Sequence, residues 1–267
     1  MSQPQYPLLK AENLAKPNHR VAGHDTFLSD GESIYKLVDS KKPQINEIKF
    51  YTEQLNKVPM LKRFVPEFKG IYSLWDKDLG QHLNYMCLQD LTKEYTNPTI
   101  IDLKMGTKTY QRDASPTKVA HELHKNPHQE LIGFRVSGLR SFNKKTQQST
   151  TEPDRYALMR MEKDQVFDFL KNKFLYNGES TRTDILTNVI SELQYLKQTF
   201  ETENNSFIFL CSSLLIIYEG DTTKSSKSKV AMIDFAHVMD LIESEKRDEG
   251  YIYGLNTLIQ MLSDIKI

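Results

Sequence analysis

The chain has 267 residues, enough to bury a sizeable core and to divide into two lobes. Its 35 basic and 35 acidic residues balance to a net charge of zero, which argues against nonspecific nucleic-acid binding and leaves room for a locally basic pocket. No apolar run approaches the roughly 20 residues of a membrane span and the first residues lack a signal-peptide apolar core, so no membrane span and a cytoplasmic or nuclear location are expected.

Residues 1–18 carry three prolines and read as a loosely held arm. Residues 19–38 read as two strands around a turn at 28–32, with Lys36 embedded in the second. After Pro43, Ile45, Ile48, Tyr51 and Leu55 follow helical spacing; Glu47 rides on that helix, either solvated or turned toward Lys36. Two strands follow, near 65–75 and 82–88, joined by a turn at 76–80. Gln89-Asp90-Leu91-Thr92 closes this antiparallel region and reads as a crossing point, giving a small lobe over 19–90 and a larger one over 91–267. Helices are expected near 116–125, 163–174, 182–202 and 250–264, with a strand near 131–142. Cys87 and Cys211 both fall in apolar runs and are expected as buried, unconnected thiols.

Three segments carry the chemistry. In Pro98-Thr99-Ile100-Ile101-Asp102-Leu103-Lys104-Met105-Gly106, a carboxylate and an ammonium stand two residues apart on a strand, so both point to one face while Ile101 and Leu103 point to the other. A ligand-binding pair and a surface ion pair on an edge strand fit that pattern equally well. Cys211 to Glu219 and Val230 to His237 form a strand, polar loop, strand hairpin. Asp234 stands alone in the second apolar run, where burial requires a compensating partner: a divalent metal or a structural hydrogen bond.

Together, Pro-x-x-x-Asp-x-Lys-x-Gly, Ser-Ser-Leu-Leu (212–215) and Ile-Asp-Phe-Ala-His (233–237) occur in an order that resembles the inositol polyphosphate kinase family. Asp102 to Thr107, Asp113-Ala114-Ser115, Ser212 to Tyr218 and Gly250 to Leu255 look most like its hexakisphosphate kinases; the multikinase branch shares many of these residues. The resemblance implies an α+β, bilobal protein-kinase-like fold (of the ATP-grasp/kinase-like type), with a small antiparallel-sheet lobe, a larger mixed lobe, and ATP and Mg²⁺ between them.

The same resemblance distributes roles. Lys36 is placed on the ATP phosphates, with Glu47 orienting it. The backbone of Gln89 and Leu91 receives the adenine edge, and Asp102 the ribose hydroxyls. Lys104 meets the transferring phosphoryl group or the acceptor's phosphates. Asp234 holds Mg²⁺, with Ser213 as a second metal-site candidate. Val21-Ala22-Gly23-His24 resembles the family's glycine turn near the nucleotide. His237 resembles the histidine near the acceptor.

The acceptor side can also be read from local chemistry. Ser115-Pro116 is a helix start and Asn126-Pro127 a stop. Lys118, His121 and Lys125 share one face of the helix between them, suited to an inositol polyphosphate, and Arg112, Lys144 and Lys145 are further candidates for positive charge. Glu122 dilutes that face. A zinc site at His121, His124 and His128 is not expected. Inositol hexakisphosphate has no free hydroxyl, so its acceptor atom is a phosphate oxygen and no general base is required. No dedicated carboxylate base stands out beyond Asp102 and Asp234. The expected protein is a monomeric kinase converting inositol hexakisphosphate to a diphosphoinositol product, with no nucleic-acid partner; the alternative is a multikinase acting on ring hydroxyls of lower inositol phosphates, and a noncatalytic inositol-phosphate sensor is disfavoured by the presence of Asp102, Lys104 and Asp234.

Overall fold

Two antiparallel sheets organise the chain, which a computed structural model describes over residues 5–17, 19, 21, 27–38 and 44–266. The first sheet holds β1 (Leu28–Ser29), β2 (Ser33–Val38), β3 (Phe68–Asp76) and β4 (Gln81–Gln89) in the order β1-β2-β4-β3. The β1–β2 turn is built by Asp30, whose carboxylate accepts from the Glu32 and Ser33 amides and from the Tyr35 hydroxyl. The N-terminal arm is tied to this sheet: Ser73 N donates to Pro7 O, Leu9 N donates to Ser73 O, and Ala15 and Ser29 exchange both backbone bonds.

Helix α1 (Gln44–Thr52) forms where helical spacing places it, and Tyr51 and Leu55 of the expected stripe are buried, but Ile45 is not and the buried face is shifted. Ile45 is 50% exposed, whereas Glu47, Phe50 and Tyr51 are buried. The reason is tertiary. Phe50 stacks on Phe235 at 4.0 Å between ring centroids, and Glu47, one turn away, gains a cation.

The second sheet centres on β5 (Pro98–Met105), so the Asp102/Lys104 segment is no edge strand. After β5 come α2 (Pro116–Lys125), α3 (Gln129–Ile132), β6 (Phe134–Asn143), β7 (Gln148–Thr151), α4 (Arg155–Met159), α5 (Lys163–Phe169) and α6 (Leu186–Thr202). Then follow β8 (Phe207–Phe209), β9 (Ser213–Glu219), β10 (Ser228–Ile233), β11 (Val238–Asp240) and α7 (Glu249–Lys266). The strand order is β10-β9-β5-β6-β7, while β8 and β11 pair separately. Ile101, Leu103 and Met105 lie fully buried on the core face of β5, leaving Asp102 and Lys104 on the other. The β5–β6 register slips between Asp102 and Leu103, whose partners are Gly138 and Val136, so Ser137 is the extra residue of a bulge beside Asp102.

Behind the sheet, Phe200 of α6 stacks on Tyr251 of α7 at 4.3 Å. Helix α7 reaches the start of β6 because two glycines meet there: a Cβ on Gly254 would lie 2.2 Å from the Gly133 carbonyl oxygen. The hairpin loop after β9 is anchored by buried Arg182, which pairs with Asp184 and donates to the carbonyls of Glu219 and Ser225.

Candidate active site

Strand β2, helix α1 and the end of β10 bring three charges together. Lys36 Nζ lies 2.7 Å from Glu47 Oε2 and 2.8 Å from Asp234 Oδ1. Burial works against the Lys36 charge, but Asp234 and Glu47 outweigh it and raise the ammonium's pKa above its ordinary value. Asp234 has a left-handed backbone (φ 64°), which aspartate tolerates better than most residues. That turn ends β10 and presents the carboxylate to the cleft, 42% exposed.

The cleft has two chambers. An apolar one of about 180 Å³ is lined by Val21, Ile34, Leu88, Leu91, Ile100 and Leu215, with residues 89–92 along its rim. A polar one of about 680 Å³ is lined by Lys104, Lys125, Arg135, Ser137, Arg155 and His237. Lys36, Glu47, Asp102 and Asp234 line both and mark the junction. Gln89 and Leu91 therefore sit where the crossing-point reading places them, although the Gln89 amide already donates to Glu67 O (2.9 Å). Ala22, Gly23 and His24 of the glycine turn lie outside the described residues.

Asp102 is 6% exposed and its Oδ1 has no hydrogen-bond partner. Burial raises its carboxyl above the usual range, with the Lys104 charge opposing the rise. Lys104 Nζ donates to Cys211 O at 2.8 Å. Cys211 does not lie in a strand as its apolar run implied; it occupies a left-handed turn (φ 57°) before β9, which aims its carbonyl at Lys104. Ser213 sits beside the Asp102 carboxyl and helps to hold its pKa down, while Ser137 Oγ and Arg135 Nε are also buried without partners. Such groups carry a desolvation cost of about 1–3 kcal/mol each that a ligand can offset. Of the two metal candidates, Asp234 lines both chambers and its carboxylate suits a hard divalent cation, whereas Ser213 is buried and lines neither. No group of three or more His, Cys, Asp or Glu able to hold a metal occurs among the described residues, so a metal there would share its coordination with ligand phosphates.

Helix α2 starts as its capping chemistry dictates, with the Lys118 amide donating to Ser115 Oγ at 3.3 Å and Pro116 in the first turn. Of its three candidate residues, only Lys125 lines the polar chamber. Lys118 is exposed but near enough to act on His237, whose pKa is lowered by burial and by the charges of Lys104 and Lys118. His121 is exposed and does not line the chamber. Glu122 accepts from Thr109 Oγ1 (2.8 Å) and Asn126 Nδ2 (3.3 Å), so it fastens the helix. Arg112 is taken by Glu245 and the Asp240 carbonyl, and Lys144 by Glu179 (2.8 Å); neither they nor Lys145 line the chamber.

Two chamber cations escaped the sequence reading, Arg135 and Arg155. Arg135 alternates with fully buried Phe134 and Val136 on β6, the same period-two signal that marks Asp102 and Lys104. Arg155 opens a short helix capped by Asp154 and carries no periodic signal.

A small antiparallel lobe set over a larger mixed lobe, with a lysine–glutamate pair and an aspartate at their junction, is the architecture of a kinase-like fold. The chain belongs to the inositol polyphosphate kinase family, whose model matches residues 85–263. It is 28% identical over 293 residues to inositol hexakisphosphate kinase 2 of Mus musculus, covering 93% of this chain and 62% of that protein. It is 31% identical over 162 residues to the inositol polyphosphate multikinase of Homo sapiens, covering 61% of this chain and 38% of that one. The chain thus spans less than two thirds of the length of these curated relatives. Its fold matches a crystal structure of an inositol phosphate multikinase from S. cerevisiae in complex with ADP and Mn²⁺, with TM-score 0.69, 21% identity, and coverage of 87% of this chain and 98% of that one.

Proposed function

We propose that the protein is an ATP- and Mg²⁺-dependent inositol polyphosphate kinase whose main acceptor is inositol hexakisphosphate. The observation that carries this reading is the junction itself. Lys36, Asp102 and Asp234 stand where an apolar chamber sized for a base opens into a chamber lined by Lys104, Lys125, Arg135 and Arg155. The base lies in the apolar chamber against residues 89–92. Asp102, with an unfilled acceptor at Oδ1, takes the ribose hydroxyls. Lys36 moves from Asp234 to the nucleotide's phosphates, and Glu47 keeps it aligned. Asp234 would hold the metal, with Ser213, which pairs with Ile233 across β9 and β10, as the second candidate; the metal would neutralise charge on the phosphate oxygens.

In the transfer, an oxygen of an acceptor phosphate forms a bond to the γ-phosphorus as the bond from that phosphorus to the β–γ bridging oxygen breaks, releasing ADP. The acceptor oxygen is already anionic, so no proton must be removed. That suits the polar chamber, where the carboxylates are Glu47, Asp102 and Asp234, all occupied by other roles. Lys104 follows the charge as it moves to the transferring group.

His237 supports a second reading, a multikinase acting on ring hydroxyls. It lines the polar chamber, and its lowered pKa keeps it neutral at pH 7, able to accept a hydroxyl proton. Phosphorus NMR of products from hexakisphosphate and from a lower inositol phosphate separates the two. Diphosphate resonances formed from hexakisphosphate, retained in His237→Asn, match the first reading. New monoester resonances only, lost in His237→Asn, replace it with the second.

A further inference from the structure

Lys104 on β5 and Arg135 on β6 are register partners, so their side chains leave neighbouring strands on the same face. Like charges directly opposite each other repel, and one of this pair is deeply placed: Arg135 is 7% exposed. Its guanidinium is held from behind. Nη1 donates to Gln129 Oε1 at 2.6 Å, and Gln129, itself 3% exposed, donates from Nε2 to the Gly106 carbonyl at 2.8 Å. Arg135 Nε is buried with no partner. A third cation, Arg155 of α4, lines the same chamber. Burial lowers the proton affinity of Arg135, Cys211, Glu122 and Asp102 oppose that fall, and the nearby Arg155 charge adds to it.

Three cations around one space call for anions, and of the carboxylates lining the chamber Asp102 acts on all three electrostatically but pairs directly with none. Among the described residues no ion pair joins a carboxylate to Lys104, Arg135 or Arg155. Glu122, whose charge reaches Arg135, is engaged by Thr109 and Asn126. A buried guanidinium without a counter-ion is costly unless a ligand completes it. Beside it Ser137, set out of register by the β6 bulge, offers a buried hydroxyl with no partner.

The geometry points to a phosphate subsite whose buried base is Arg135, flanked by Lys104, Arg155 and Ser137, that holds a second phosphate of the acceptor apart from those met by α2. This inference deepens the kinase reading above and rests on it. Gln129 pre-orients the guanidinium, so little rotamer entropy is lost on binding. Arg155, exposed at the start of the half-buried helix α4 and lining the chamber, closes the subsite from the solvent side. The subsite would favour acceptors carrying phosphates on neighbouring ring positions, because Lys104 is shared with the phosphate that reacts.

Calorimetric titration of the purified protein with inositol hexakisphosphate, and separately with a nonhydrolysable ATP analogue, tests it. Arg155→Gln alters an exposed residue, and Arg135→Lys keeps the buried charge but loses the planar fork. Each is expected to weaken hexakisphosphate binding about tenfold or more, the double variant by less than the product of the two, and the ATP analogue to bind as before. If wild-type protein binds hexakisphosphate while Arg155→Gln and every folded Arg135 variant bind it equally well, the subsite is wrong and the kinase reading stands. Losses that multiply in full would also overturn it, because the two arginines would then serve separate phosphates. If wild-type protein neither binds nor phosphorylates any inositol phosphate, the kinase reading fails and the subsite with it.

Discussion

Lys36 and Asp234, separated by 198 positions in the chain, meet at 2.8 Å across the cleft. Glu47 completes the contact from α1 at 2.7 Å while only 1% exposed. This places a fully buried carboxylate in dependence on one lysine that is itself 17% exposed. The triad therefore has a structural role in addition to any it has with nucleotide.

Lys36→Met is expected to destabilise the fold by about 3 kcal/mol, because it strands the Glu47 charge. Adding Glu47→Gln should recover most of that loss without restoring activity. Urea midpoints of the single and double variants measure both effects. Asp234→Asn should leave the midpoint nearly unchanged and lower turnover at least about a hundredfold, since it removes the metal's charged ligand. An undiminished rate at physiological Mg²⁺ would take Asp234 out of the metal site.

Asp102 and Lys104 leave the same face of β5, yet one lines both chambers and the other only the polar one. Asp102→Ala is accordingly expected to weaken nucleotide binding by about tenfold while acceptor binding holds. Lys104→Ala should act on the chemical step, lowering the single-turnover rate more than it raises the nucleotide Kd. Calorimetry combined with single-turnover kinetics reads both. Unchanged nucleotide affinity in Asp102→Ala would reassign that carboxylate.

What could be read from sequence was what is local. Ser115 and Pro116 start α2 through capping chemistry that needs no other part of the chain. Asp102 and Lys104 share a face because strands have period two. The polarity of α1 was not local. Of the stripe Ile45, Ile48, Tyr51 and Leu55, Tyr51 and Leu55 are buried as expected but Ile45 is exposed, because Phe235 and Lys36 draw Phe50 and Glu47 inward. Arg135 stood in plain view between buried apolar neighbours, but its meaning depends on the register that sets it opposite Lys104. The sequence likewise does not show that Glu122 turns away from the cations of α2 to fasten the helix.

On α2, Lys125→Ala should weaken hexakisphosphate binding more than Lys118→Ala, because Lys125 lines the chamber while Lys118 is solvent-exposed. Losses of about tenfold and about threefold are expected at low salt, with ATP-analogue binding unchanged. Both effects should shrink as ionic strength rises, the Lys118 effect first. Titrations at two salt concentrations decide this. Equal, salt-independent losses would mean that the helix closes onto its ligand and buries both lysines.

Asp248 gives the stability of the large lobe a pH dependence of unusual sign. The residue precedes α7, is 6% exposed, and accepts from the amides of Phe209 (2.8 Å) and Tyr251 (3.0 Å), so it joins β8 to the helix. Burial pushes its carboxyl from 3.8 up to about 6, although those two amides favour the charged form. With the folded pKa above the unfolded one, the folded protein keeps a proton that the unfolded chain releases between about pH 4 and pH 6. The residue's favourable contribution is therefore complete below about pH 4, falls as pH rises through that window, and is lost above about pH 6. A rise of that size corresponds to about 3 kcal/mol at most. Asp248→Asn removes the titration and also one acceptor, so it starts less stable than wild type at pH 4. Its deficit should narrow by up to about 3 kcal/mol by pH 7, as read from urea midpoints across that range. A deficit that stays constant with pH would mean that Asp248 ionises alike in the folded and unfolded chain. Carboxylates held low by their partners, such as Asp30 and Asp184, titrate in the opposite sense but are common to both proteins and cancel in the difference.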